Sequence, residues 1–276
     1  MSTAQNNRRY DTMIKLEILL SCMHQTDASL VDRSGLTGDV VIINQCDHDG
    51  YAEYATAGGT ARMFSTTQRG LTKSRNMAIR ESRADVCLLC DDDEQFAADY
   101  EQKILSAYEE LPKADVIIFK MENRPASFPD KVMRLRFPQT IKVSSWQISF
   151  RRQRLLDTGV RFDELLGAGT GNGAEEELKF LLDCQKAGLR IYYVPAVIAS
   201  VGQTQSTWFS GFTEQFFEDR GATTRYILGA PMALIYGVYY VLRKRQLYRE
   251  NLTTGQAWRA LLRGIRNNKI GKIKGV

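Results

Sequence analysis

Four consecutive carboxylates, Asp91, Asp92, Asp93 and Glu94, follow directly on the apolar run Val86-Cys-Leu-Leu-Cys90. A short, bounded apolar run predicts a strand buried on both faces. Alternation along that strand aims Asp91 and Asp93 the same way at its C-terminal end. Ligands of open α/β sheets bind beyond the carboxyl ends of the strands. Like charges this close repel, and solvent or a bound cation relieves them. Carboxylate oxygens suit hard ions such as Mg2+ or Mn2+, which in turn bind diphosphates. The same acids also read as a turn that caps a helix expected over 95–110.

A second acidic group, Glu175-Glu176-Glu177, follows the glycine-rich stretch Gly167-Ala-Gly-Thr-Gly-Asn-Gly173 and opens a helix expected over 175–187. Acids in a first helical turn complement the helix dipole by ~0.3–1 kcal/mol each, which accounts for them without chemistry. Crowded carboxylates also raise one another's proton affinity, which suits a general base over a pocket. Ser74-Arg75-Asn76 lies near the start of a helix expected over 71–80, where Arg75 can fork onto a phosphate or a base edge. Asn44, Gln45 and Asp47 follow a strand expected over 39–43, on the same rim of the sheet as Asp91. Singly, these are a surface arginine and a polar turn. Together they make four polar clusters at one rim.

The elements that must position them alternate. Strands are expected over 14–21, 39–43, 62–65, 86–90, 115–119 and 191–194, the last ended by Pro195. Helices are expected over 71–80, 95–110 and 175–187, with Leu178, Leu181 and Leu182 as a buried stripe and Gly188 as the stop. This order predicts a mostly parallel sheet covered by helices. The stretch 128–150, with alternating Ile141-Lys-Val-Ser-Ser-Trp-Gln-Ile148, reads as antiparallel strands at the sheet's far side.

Several chemistries are excluded. Gly169, Gly171 and Ala174 match a G-x-G-x-x-A fingerprint, but no buried strand precedes them and three acids follow, which would repel a dinucleotide. No G-x-x-x-x-G-K and no His-Glu-x-x-His occur. The five cysteines are scattered and odd in number. Cys87 and Cys90 sit three apart on one strand and face opposite sides, so they form neither a redox pair nor a zinc site. A reducing compartment fits, and the polar N-terminus carries no apolar signal segment. Residues 1–13 read as a loose N-terminus.

The 276 residues are 43% hydrophobic and 25% charged, as in an ordinary globular protein. The net charge of +5 is unevenly spread: residues 220–276 hold 12 Lys/Arg and one acid, Glu250, leaving −6 on the rest. An acidic body with a basic tail directs only the tail to an anionic surface. Residues 226–242 are uncharged and tyrosine-rich, and Arg243-Lys-Arg245 follows. That pattern fits an interfacial segment or a helical cap with a solvated basic face, and sits at the lower limit of ~20 apolar residues for a spanning helix. No nucleic-acid-binding module is recognisable, so no nucleic-acid partner is expected.

The order of these motifs resembles the inverting family-2 glycosyltransferases of the GT-A fold. The matching pieces are Asn44-Gln45 after strand two, Gly70 with Ser-Arg-Asn76, Leu89-Cys-Asp-Asp-Asp93, Gly173-Ala-Glu-Glu176, and Gly188-Leu-Arg-Ile-Tyr-Tyr-Val-Pro195. The resemblance implies a GT-A-like α/β domain over 14–207 and a basic helical extension over 208–276. It implies that Asp93, with Asp91, holds Mg2+ or Mn2+, and that Ser21, Gln45, Asp47, Arg75, Asp91 and Asp92 frame a nucleoside-diphosphate-sugar, with UDP favoured. Glu176 is then the base, with Glu175 as the alternative. The acceptor is a saccharide or lipid-linked saccharide, in bacterial surface-polysaccharide assembly. The location is cytoplasmic, with the tail against an anionic membrane surface. Two departures stand out: the acid usual after strand two is Asn44-Gln45, and no His occurs over 199–207. A nucleotidyltransferase uses similar carboxylates. A catalytically inactive, membrane-docked scaffold that binds nucleotide-sugar is the alternative of another class.

Overall fold

The computed structural model describes residues 14–124, 127–173, 175–202 and 211–270. The expected loose N-terminus and part of the His-free segment lie outside the described residues. Ten strands form one mixed sheet, β1 Leu16–Met23, β2 Asp39–Gln45, β3 Gly50–Thr56, β4 Gly59–Thr66, β5 Val86–Asp91, β6 Glu94–Phe96, β7 Val116–Met121, β8 Met133–Leu135, β9 Ile148–Arg151 and β10 Ile191–Val201. Their order is β3-β4-β2-β1-β5-β9-β7-β10-β6, with β8 on β10. The helices are α1 Ser29–Arg33, α2 Leu71–Glu81, α3 Tyr100–Glu110, α4 Arg152–Thr158, α5 Glu176–Lys186, α6 Glu214–Arg243, α7 Arg245–Tyr248 and α8 Thr254–Asn267.

The central strands β4, β2, β1 and β5 run parallel, and their side chains divide between the two faces as a period of two demands. Ile18, Leu20, Val40, Ile42 and Leu88 enter one core, while Leu19, Val41, Ile43 and Leu89 enter the other. Cys90 joins the first and Cys87 the second, so the two thiols stand on opposite faces as expected. All five cysteines are buried and unpaired.

Four local expectations are corrected. The stretch from residue 95 does not begin a helix: Glu94–Phe96 pairs antiparallel with Ala199–Val201, and α3 starts only at Tyr100. A partner a hundred residues away overrides local propensity there. The alternating 141–148 segment forms two 3-10 turns, Gln139–Lys142 and Ser145–Gln147, because Ser144 and Gln147 make a reciprocal cap. The strand that follows, β9, lies between β5 and β7 inside the sheet rather than at its far side. Pro195 does not end β10; the register shifts between Tyr193 and Val197, a bulge that absorbs the missing N–H, and pairing resumes.

Helix α5 forms as expected, with Leu178, Leu181 and Leu182 buried. After it the chain builds a helical extension from α6 to α8. Helix α6 breaks at Gly229 (φ 77°), with Pro231 two residues beyond. It crosses α8 at unusually short range. A Cβ on Gly264 would lie 1.8 Å from the Glu218 carbonyl oxygen, and one on Gly221 would lie 2.2 Å from that of Leu261. Ile227 and Ile270 of the extension pack with Leu166, Leu178 and Leu182, seating it on α5 and the loop before it.

Candidate active site

The site assembles beyond the C-terminal ends of β1, β2 and β5. Parallel pairing brings Ser21 beside Ile43 and Asp91, which puts these strand ends on one rim. Helix α2 starts at this rim and is pinned there. Gln45 Oε1 accepts the Gly70 N–H at 2.8 Å, and the Ser74 hydroxyl donates to Ser21 Oγ at 2.8 Å. Leu71 N–H reaches the Ala168 carbonyl (3.1 Å) and the Thr72 hydroxyl reaches that of Leu166 (2.9 Å), so the glycine-rich loop is tied to the same helix. Gly167 has φ +96° and its Cβ position lies 3.1 Å from Thr72, so only glycine fits this crossing. Asn44 is fully buried and clamps the loop after β1, donating to Gln25 O (2.8 Å) and accepting from Gln25 N–H (2.9 Å).

Helix α2 thereby delivers Arg75 to the centre. Its guanidinium is buried, donates to Asp91 Oδ1 (3.0 Å) and Oδ2 (3.3 Å), and reaches Glu176 Oε1 at 3.4 Å. It also lies over the Phe162 ring, 5.5 Å from the centroid. Ser145 donates to the second Asp91 oxygen at 3.2 Å. Burial opposes the charge on Arg75, but Asp91, Glu176 and Glu177 outweigh it and raise its pKa. Arg75 Nε is buried with no hydrogen-bond partner, a donor that the protein leaves unused.

Strand β5 ends at Asp91, and Asp92–Asp93 form the turn into β6. A turn, rather than strand alternation, therefore relates Asp93 to Asp91. Glu94 folds underneath: its Oε1 accepts the Asp91 N–H at 2.8 Å, while its buried Oε2 has no partner. Burial first, and the neighbouring carboxylates next, push the Asp92 and Asp93 carboxyls upward and Glu94 well above the usual range. The residues present fit a hard divalent cation. The donors are all carboxylate oxygens, burial and mutual repulsion outweigh the one opposing cation, Arg124, around Asp93, and one buried oxygen of Glu94 is orphaned. Among the described residues no group of three His, Cys, Asp or Glu side chains is arranged to hold a metal, so such an ion would draw other oxygens from its ligand and water.

The acidic triplet divides into three environments. Glu175 occupies the left-handed conformation (φ 71°) at the start of α5. Its carboxylate is bonded to Arg220 of α6 and accepts from the Tyr236 hydroxyl at 3.2 Å. Glu176 is buried against Arg75. Its pKa is raised by burial, with Arg75 opposing. Glu177 makes no salt bridge among the described residues, and burial beside Glu176 lifts its carboxyl to about 8. Of the residues expected from sequence, Arg75, Asp91 and Glu176 thus meet directly. Ser21 and Gln45 are buried at the same rim and hydrogen-bonded to Ser74 and Gly70 at the start of α2. Asp47 lies out on the surface, paired with Arg69 at 2.8 Å. Glu177, Glu94, Ser145 and Arg220 were not singled out. The first two sat in plain view inside acidic runs, whereas the last two carry no local signal.

Residues 18–165, more than half of the chain, match glycosyl transferase family 2, and the chain belongs to that family. No curated protein matches it. Among solved structures, S. aureus TarS 1-349 in complex with UDP-GlcNAc superposes with a TM-score of 0.57 at 17% identity, covering 91% of this chain and 72% of that one. The same protein in complex with UDP gives 0.55 at 17% identity, over 86% and 74%. The mannosyltransferase PcManGT from Pyrobaculum calidifontis, in complex with GDP-Man and Mn2+, gives 0.50 at 13% identity, over 94% and 76%. The fold is therefore the GT-A-like architecture expected from the sequence, with a helical C-terminal region.

Proposed function

We propose that this glycosyltransferase moves a sugar from a nucleoside-diphosphate-sugar to an acceptor hydroxyl with inversion at the anomeric carbon. A UDP-sugar is the favoured donor. A saccharide or lipid-linked saccharide of bacterial surface-polysaccharide assembly is the acceptor. The observation that carries this reading is the convergence of Arg75, Asp91 and Glu176 beyond the parallel strand ends, with Asp93 next to Asp91 and its carboxyl pushed up by burial and by its acidic neighbours. Family membership and neighbours bound to UDP-GlcNAc and GDP-Man support the donor class.

In this reading Asp93, with Asp91, would hold the Mg2+ or Mn2+ ion, whose chemistry is to neutralise charge developing on the departing diphosphate. Arg75 bridges the two acidic groups and fixes the donor end of the site against the base end. The acceptor oxygen attacks the anomeric carbon, the bond to the diphosphate breaks, and its electron pair leaves with the nucleoside diphosphate. The hydroxyl proton passes to a carboxylate. Sequence favoured Glu176, with Glu175 as alternative. We add Glu177 as the candidate this reading prefers, on the ground that Glu175 is paired with Arg220 and Glu176 with Arg75. A carboxyl near 8 is also matched to accepting a proton at neutral pH.

Turnover of Glu175→Gln, Glu176→Gln and Glu177→Gln discriminates among them. Glu177→Gln is expected to lower kcat by about 10²–10⁴-fold while leaving nucleoside-diphosphate affinity unchanged. Full turnover in that variant would return the base to Glu176. Proton NMR of the new linkage reads the anomeric configuration, and retention there would contradict single displacement.

A further inference from the structure

The extension has a face that the catalytic domain does not use. On α6, Leu234, Ile235, Val238, Tyr239 and Leu242 fall at helical spacing along one stripe, and Leu247 continues it on α7. These six side chains are 41% to 64% exposed. The opposite side of the same helix, Ala233, Gly237, Tyr240 and Val241, is buried and packs with Ala260 and Leu261 of α8. The stripe is thus an apolar face left open on a helix already satisfied elsewhere. Contiguous patches of this kind mark interaction sites.

Charge identifies the occupant. Arg243, Lys244, Arg245 and Arg249 are all exposed at the end of the stripe. The acids of the extension offer them nothing: Glu214 and Glu218 bond to Arg263, Asp219 bonds to Lys269, and Glu250 stands alone in sequence among the basic residues. A second copy paired through this same face would therefore bring four more exposed cations to the basic end against the single acid Glu250. An apolar stripe that includes Tyr239 and has a cationic border is complementary to an anionic lipid surface.

Helix α6 as a whole, Glu214–Arg243, has the length and hydropathy of a spanning helix. The break at Gly229 leaves only residues 231–243 as an uninterrupted segment, about 20 Å at about 1.5 Å per residue. That falls short of a hydrocarbon core of ~30 Å. Its N-terminal half is also held by the half-buried Arg220 on Glu175 and by the close glycine contacts with α8. We infer that α6 and α7 lie in the plane of an anionic bilayer, with Leu234, Ile235, Val238, Tyr239, Leu242 and Leu247 in the acyl boundary and Arg243–Arg245 and Arg249 on the headgroups. This surface is independent of the donor site.

The test is cosedimentation of the full chain with vesicles of phosphatidylcholine alone and of phosphatidylcholine with one-third phosphatidylglycerol. Binding is expected to the anionic vesicles only, and to weaken as salt screens the headgroups. Ile235→Ser/Val238→Ser/Leu242→Ser and, separately, Arg243→Glu/Lys244→Glu/Arg245→Glu should each cut partitioning by about tenfold or more. A readout independent of those variants uses Val238→Cys labelled with an environment-sensitive dye, selective because the five native cysteines are buried. Its emission should shift to the blue with anionic vesicles. Equal binding to neutral vesicles, undiminished binding by either triple variant, or an unshifted label would overturn the proposal. So would a dimer in light scattering that the serine variant dissolves, since the stripe would then belong to a second copy.

Discussion

Arg75 carries the largest electrostatic load of any residue in the site. It is buried, it faces two carboxylates on different elements, and it keeps a donor in reserve. Breaking a buried pair by removing one partner costs about 3–5 kcal/mol because the other charge stays behind unpaired. Replacement of Arg75 by Met should therefore lower stability as well as activity, and separating the two requires a ligand-binding readout. Glu177 gives a cleaner signal. Its carboxyl sits near 8 instead of 4.5, so at lower pH it is protonated and cannot take a proton. The rate should rise as pH increases through about 8, and Glu177→Gln should lose that limb. Stability has the opposite sign. The folded protein holds this proton more tightly than the unfolded chain, so the contribution is complete below 4.5 and is lost as pH rises through about 8. A melting temperature that falls over that range in wild type, and falls less in Glu177→Gln, checks the same group twice. The acidic triplet was legible from sequence as a base candidate. The ranking proposed within it turns on Arg75, which lies 101 residues before Glu176, and on Arg220, 45 residues after Glu175, and no local window of sequence holds that information.

At the scale of elements, α6 and α8 approach so closely that backbone meets backbone. The Gly264 Cβ position lies inside van der Waals range of Glu218 O, and neither atom has a flexible side chain that can yield. Gly264→Ala should push the helices apart and destabilise the extension by about 1–3 kcal/mol, the usual cost of overpacking. Gly255→Ala, where the Cβ would meet nothing, serves as its control. A melt that leaves Gly264→Ala unchanged would refute the close crossing. The same scale shows what sequence can and cannot place. Strands β1, β2 and β5 were readable because they are buried on both faces and carry near-continuous apolar runs. Hairpin strand β3, with exposed Tyr51 and polar Glu53, has no such run. Strands β6 and β9 exist because β10, β5 and β7 offer them open edges, and no window of local sequence holds that information. Gln45 and Ser21 show the same limit. Their residue types suit a nucleotide, while their actual partners, Gly70 and Ser74, are supplied by the fold.

Over the whole molecule, charge and chemistry are segregated. The body, residues 1–207, carries −3 and concentrates carboxylates at one rim of the sheet, while the extension, residues 208–276, carries +8 and is anchored to the body through Arg220 on Glu175 and through Ile227 and Ile270 packed with Leu166, Leu178 and Leu182. Both halves of this asymmetry were visible in composition, and the sheet end that gathers the acids followed from parallel topology. The central claim is that this acidic rim binds a nucleoside diphosphate through a divalent ion. Calorimetric titration of UDP, GDP and CDP, each with and without Mn2+, into wild type and Asp93→Ala tests it most directly. Mn2+-dependent binding is expected, tightest for UDP and lost in Asp93→Ala. Absence of nucleotide binding under every condition, or equal binding by Asp93→Ala, would contradict it.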